Sequence, residues 1–69
     1  MAYLKLTSDW SFVVNKKGKY DLENPRENKK VRIKKDGGKV EYLIGSEKDL
    51  PQYIIDRLDK YCDLFKNYS

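Results

Sequence analysis

The sequence predicts an α+β fold, an antiparallel sheet of three to four strands over residues 3–44 packed against one amphipathic helix over residues 50–67. Three patterns carry this. Apolar and polar residues alternate in steps of two through the first half, as half-buried strands require. Lys35-Asp36-Gly37-Gly38 supplies residues that tolerate positive φ, which two-residue hairpin turns need. From Ile54 to Phe65 the apolar residues recur at helical spacing. A chain of 69 residues makes one small domain with one core.

The elements follow in order. Leu4 and Leu6 alternate with Tyr3, Lys5 and Thr7, which predicts a strand over 3–7. Trp10, Phe12 and Val14 alternate with Ser11 and Val13 in a second strand over 10–15, reached through a tight turn at Ser8-Asp9. Asn15-Lys16-Lys17-Gly18 is the next turn, and Tyr20 and Leu22 form a short third strand or an ordered arm. Residues 23–28 read as a loop, because Asn24 precedes Pro25 and nothing apolar lies between them and Asn28. Residues 30–44 form the clearest hairpin. A turn at Asp36-Gly37 opposes Ile33 to Val40, and a turn at Gly37-Gly38 opposes Ile33 to Tyr42. Either register places Val31, Ile33, Val40, Tyr42 and Ile44 on one face and Lys30, Arg32, Lys34, Lys39 and Glu41 on the other, since a shift by two preserves the faces.

The helix is expected to start at Asp49 as N-cap, with Gln52 completing a capping box and Pro51 in the first turn, where its missing N–H costs nothing. A start at Ser46 with Asp49 as its partner is the alternative, and it drives Pro51 deeper. Ile54, Ile55, Leu58, Tyr61, Cys62 and Phe65 form the apolar stripe. Gln52, Asp56, Asp59, Lys60, Asp63 and Lys66 lie opposite, with Asp56 and Lys60 a favourable i,i+4 pair.

Composition narrows the function. The charged fraction is 38%, yet two Phe, one Trp and six Tyr supply enough apolar area to argue for a folded chain. The single cysteine excludes an internal disulfide, and the lack of histidine removes the commonest general base and metal ligand. No apolar run approaches the ~20 residues that span a bilayer, and the first residues lack a signal-peptide core. The expected location is the cytoplasm. Net charge is +4, unevenly spread: residues 1–45 carry 11 Lys/Arg against 6 Asp/Glu, and residues 46–69 carry 4 against 5. The sheet half is therefore the basic half, which hints at an anionic partner, but a charge this modest favours the plainer reading of a lysine-rich surface that serves solubility.

Catalytic constellations fail on inspection. Without histidine there is no Ser/His or Cys/His pairing, and Gly37-Gly38 lies in a hairpin rather than a phosphate loop. Asp56, Asp59 and Asp63 share a helix face, but regular helical spacing does not converge carboxylates on one ion, so a solvated face is expected. Cys62 lies in the apolar stripe and reads as buried and inert. No enzyme activity, cofactor or metal is expected. The candidate binding residues are cations. Lys30, Arg32, Lys34 and Lys39 form a basic patch on the outer hairpin face, with Lys35 at its turn. Arg32 carries the two-pronged donor that reads a guanine edge in principle, or else Arg32 or Lys34 pairs with Glu41. Lys16, Lys17 and Lys19 form a second cluster at a turn. Tyr20, Tyr53 and Tyr68 find no place in the expected core, and exposed tyrosines favour protein contacts or base stacking.

Two resemblances accompany these residues. Trp10-Ser11-Phe12-Val13-Val14, followed by further strands and a helix, resembles the arm-type DNA-binding domain of phage integrases, which lays a three-stranded sheet into the major groove. That resemblance implies Arg32, Lys34 and Lys39 as readers. Arg32-Ile33-Lys34-Lys35-Asp36-Gly37, then Glu41-Tyr42-Leu43-Ile44 and a helix, is similar to the hairpin–helix unit of small phage anti-CRISPR proteins. It implies a non-enzymatic phage accessory protein that binds stoichiometrically to a host nucleic-acid-handling or defence complex. A basic inhibitor of this kind grips an acidic protein surface or a guide-RNA-bearing complex. The alternative is direct DNA or RNA binding through the basic sheet face. A third class is a homo-oligomer joined at its edge strands.

Overall fold

Each strand pairs with the one before it in the chain, so the sheet is an antiparallel meander without crossovers. The computed structural model describes residues 2–16 and 18–65. β1 (Ala2–Lys5), β2 (Ser11–Lys16), β3 (Lys19–Asn24), β4 (Lys29–Asp36) and β5 (Lys39–Ile44) lie in that order across one five-stranded sheet. A 3₁₀ turn at Glu47–Asp49, then α1 (Gln52–Ile55) and α2 (Leu58–Leu64), packs on one face of it.

Five strands replace the expected three to four, and β3 accounts for the difference. It is the central strand. Tyr20 and Leu22 lie opposite Val14 and Phe12 on one side and opposite Ile33 and Val31 on the other. The inward alternation continues to Asn24, and all three side chains are buried. Asn24 is admitted to the interior because its Oδ1 accepts the Glu27 N–H at 3.1 Å, which closes the turn before β4. Asp21 and Glu23 disguise the pattern by their charge, yet both fall on the opposite face, across from Arg32 and Lys30.

The core gathers Trp10, Phe12, Val14, Tyr20, Leu22, Val31 and Ile33 from the sheet side and Leu50, Ile54, Leu58 and Cys62 from the helical side. Phe12 is its centre. Its ring lies 5.1 Å from Tyr20, 5.8 Å from Tyr61 and 5.9 Å from Phe65, all within the range of favourable aromatic pairing. The first turn is wider than Ser8-Asp9 alone. Thr7 Oγ1 accepts the N–H groups of Asp9 and Trp10 at 3.1 and 3.0 Å, and this delivers Trp10 into the core.

The helical region departs from a single helix over 50–67. It starts with the alternative cap: Ser46 N–H donates to Asp49 Oδ2 at 3.0 Å, Asp49 belongs to a separate 3₁₀ turn, and Pro51 precedes α1. The helix is then interrupted at Asp56-Arg57, where Arg57 N–H turns back to Ile54 O at 3.1 Å. Neither residue is glycine or proline. The stripe nonetheless faces inward as expected, with Ile54, Leu58 and Cys62 buried and Ile55, Tyr61 and Phe65 packed against them. Lys66 and the end of the expected helix lie outside the described residues.

Two bulges adjust the faces. In β2 Asn15 is the extra residue between Val14 and Lys16, so Lys16 comes opposite Lys19. In β5 the pairing passes from Ile33–Tyr42 to Arg32–Ile44, so Leu43 is extra and Ile44 lies across from Arg32. This corrects the inward placement of Ile44, which is 44% exposed. The turn of this hairpin is Gly37-Gly38, with φ of 58° and 90°.

Candidate functional site

The sheet has one covered face and one open face, and the open face carries most of the candidate cations. Cross-strand registers arrange it in rows. One row runs Lys16, Lys19, Lys34, Glu41. The next runs Tyr3, Val13, Asp21, Arg32, Ile44. The third runs Lys5, Ser11, Glu23, Lys30. Lys39 and Asp36 face each other beyond the first row, at the hairpin end.

The middle row is locked by an ion pair. Asp21 is a charged residue at the centre of the sheet, and its side chain is only 6% exposed. Arg32 Nε donates to Asp21 Oδ1 at 2.9 Å and Nη2 donates to Oδ2 at 3.3 Å. Lys30 Nζ stands 3.6 Å from the same carboxylate and 3.7 Å from Glu23. The hydrogen bond to Asp21 and the attraction of its charge raise the Arg32 pKa above its ordinary value. This two-bonded geometry holds a guanidinium in one plane. Arg32 is therefore committed to Asp21 rather than to Glu41, and it is not presented as a reader of guanine edges.

The lysine row is different. Lys16 and Lys19 are directly opposite, as are Lys19 and Lys34, with Cβ separations of ~4.5–5.5 Å expected for such neighbours. Among the described residues none of the three has an ion pair. Lys34 alone faces a carboxylate across the sheet, that of Glu41. Like charges placed opposite one another oppose folding. The row is thus a cationic ridge over three adjacent strands, with a carboxylate across from it only at its Glu41 end.

The remaining candidates divide. Lys39 is exposed on the outer face, and Lys30 is exposed but shared with Asp21 and Glu23. Lys17 lies outside the described residues. Lys35 is not at the turn, because β4 runs on to Asp36. It points to the helical side, where its Nζ reaches Asp59 at 3.2 Å and Asp63 at 3.7 Å. Burial works against its charge, but the hydrogen bond to Asp59 and the attraction of both carboxylates outweigh it and raise the pKa. Tyr20 is 3% exposed and stacks on Phe12, so it belongs to the core and not to a partner surface. Tyr53 is exposed on α1, away from the lysine row, and Tyr68 lies outside the described residues.

Two residues of the open face stand outside the cation pattern. Asp21 is the anchor of the middle row, and its outward position follows once Tyr20 and Leu22 are recognised as inward. Tyr3 is 70% exposed at the β1 edge, opposite Val13. Between Tyr3 and Arg32 the face is concave, a groove of about 480 Å³ floored by Val13 and Asp21 with Ser11 and Asn15 at its side.

On the other face Cys62 is 1% exposed, and burial pushes its thiol up to about 11. It is protonated at neutral pH, which makes it a packing residue. Among the described residues no group of three or more Cys, Asp or Glu side chains is placed to hold a metal ion, and no helix is long and apolar enough to cross a membrane.

No protein-family model matches the chain, and no curated protein and no solved structure matches it either.

Proposed function

We propose that the chain is a non-catalytic binding module that docks nucleic acid on the open face of its sheet. The observation that carries this reading is the row Lys16, Lys19, Lys34, three opposed ammonium groups that make no ion pair among the described residues, with Glu41 the one carboxylate across from them, beside Lys34. In the free protein the row costs stability, and a line of phosphates would relieve it. Phosphate contacts supply most of the affinity of sequence-independent nucleic-acid binding. The lock between Arg32 and Asp21 supports backbone recognition over base readout. Gel retardation of labelled oligonucleotides tests the reading. The wild type retards them at about 50 mM salt and much less at about 200 mM. A Lys16→Gln, Lys19→Gln, Lys34→Gln variant does not retard them at either. Retention of full binding by that variant would remove the basis of the proposal.

The second reading is the anti-CRISPR-like one, a phage accessory protein that binds stoichiometrically to a host defence or nucleic-acid-handling complex. Its specific support is the exposed apolar surface at the two flanks, Tyr3 on β1 and Leu43 and Ile44 at the end of β5. Aromatic and aliphatic anchors of this kind are typical of protein interfaces. A defined complex of equal stoichiometry with a purified host nuclease, abolished by Tyr3→Ala together with Ile44→Ala, would favour this reading. It would place the protein in the bacterial cytoplasm.

A further inference from the structure

We infer that the nucleic acid held on this face is single-stranded, and that Tyr3 stacks on one of its bases. This rests on the nucleic-acid reading above and adds the strand state and a base-contacting residue. The first argument is width. Neighbouring strands are ~4.8 Å apart, so five of them make a face of about 20 Å. The major groove of B-form DNA is ≈ 12 Å wide and admits a two-stranded ribbon or a helix. Here β2, β3 and β4, which carry the lysine row, are flanked by β1 and β5. The five-stranded face is too wide to lie flat in the groove, so on a duplex it meets mainly phosphate ridges.

The second argument is what lies beside the lysines. Tyr3 and Val13 are in the row next to that of Lys16, a step of two residues on β3, from Lys19 to Asp21, or ~6.6 Å, and of three on β2, where Asn15 bulges. Tyr3 is one strand outward of Val13, and β1 is the edge of the sheet, so the ring has no neighbouring strand on its outer side. A phosphate held by Lys16 therefore leaves its own base within reach of the Tyr3 ring. At its Tyr3 end the groove next to it offers the apolar side chain of Val13 and hydrogen-bonding groups at Ser11 and Asn15, and its charged side chains, Asp21, Glu23, Lys30 and Arg32, lie on β3 and β4. An unstacked base fits that description. A base paired inside a duplex cannot reach it. Charge supplies the register: phosphates lie over Lys16, Lys19 and Lys34, and the base that follows the Lys16 phosphate lies at the Tyr3 end of the next row, two strands from Asp21. Stacking on an aromatic ring tolerates any base, so the site is indifferent to sequence.

The test is fluorescence anisotropy with a labelled oligothymidylate and with a labelled duplex of equal length, at one salt concentration. The expected result is tighter binding of the single strand. Tyr3→Ala weakens single-strand binding by about 5- to 150-fold, the range for loss of one stacked base, and leaves duplex binding unchanged. Tyr3→Phe keeps the ring and retains single-strand affinity. Tyr3 is exposed, and circular dichroism confirms that each variant folds. Equal or tighter duplex binding, or an unchanged single-strand affinity in Tyr3→Ala, overturns the inference. The broader proposal then survives provided the triple lysine variant still loses binding. Failure of the wild type to bind either oligonucleotide overturns both.

Discussion

Asp21→Asn sets stability against binding in one substitution. The Asp21 side chain is 6% exposed and accepts two hydrogen bonds from Arg32, whose own side chain is 30% exposed. Asparagine keeps the shape and one acceptor but removes the charge that holds the guanidinium. Two consequences follow. The melting temperature falls, because a nearly buried cross-strand ion pair at the centre of the sheet is lost. Binding of single-stranded nucleic acid becomes tighter, because Arg32 joins Lys16, Lys19 and Lys34 as an uncommitted cation and an anion leaves the face. The magnitude can be worked from contact number. Each phosphate contact on a single strand contributes about −0.7 to the slope of log affinity against log salt, so three contacts give about −2.1 and four about −2.8. Over a fourfold rise in salt the wild type should lose about 20-fold in affinity and the variant about 50-fold. Anisotropy titrations at several salt concentrations measure both slopes, and thermal melts supply the stability. A variant that folds but binds no tighter at low salt, with an unchanged slope, would refute the reasoning about the lock.

Other expectations concern the fold. The Lys16→Gln, Lys19→Gln, Lys34→Gln variant should melt no lower than the wild type, since it removes like-charge opposition; a clear loss in thermal denaturation would show that the row is structural. Gly45→Ala should cost roughly 1–3 kcal/mol in urea denaturation, because φ is +75° and a Cβ would lie 3.0 Å from Asp49 Oδ2 and 3.2 Å from Val31 Cγ2. Ile54→Ala should cost roughly 2–5 kcal/mol by the same assay, its side chain being fully buried against the sheet. Stability should also fall at alkaline pH. The Cys62 thiol is raised from 9.0 to about 11 by burial, so the unfolded chain loses its proton first and stability declines as pH rises through that interval. About 1.4 kcal/mol per unit gives roughly 2–3 kcal/mol in all. Lys35, Tyr20 and Tyr42 are raised too and act in the same direction, so the thiol's share is the part of the decline that Cys62→Ala abolishes.

Where local pattern and tertiary contacts agree, the sequence was a sufficient guide. The hairpin of β4 and β5 has the Gly37-Gly38 register that was one of two expected, and the inward set Val31, Ile33, Val40 and Tyr42 follows from period-two alternation alone. The apolar stripe of the helical region is inward for the same reason. What escaped was non-local. The bulge at Leu43 turns Ile44 outward, and nothing in Glu41-Tyr42-Leu43-Ile44 marks it. The interruption at Asp56-Arg57 lacks glycine or proline. In β3 the charges of Asp21 and Glu23 mask the alternation, although a central strand tolerates charge on its open face when partners lie across from it. The candidate site was legible as a set of cations but not as an arrangement. Only the β3–β4 register separates Arg32, which meets Asp21, from Lys34, which meets Lys19. Only the true length of β4 carries Lys35 to Asp59.

The most direct test of the open sheet face as the nucleic-acid interface is a titration of ¹⁵N-labelled protein with oligothymidylate, followed by amide chemical shifts. The account predicts that Tyr3, Val13, Lys16, Lys19 and Lys34 shift progressively with added strand, while Ile54, Leu58 and Cys62 on the covered side hold their positions. Shifts confined to the helical side, with the lysine row unmoved, would contradict it.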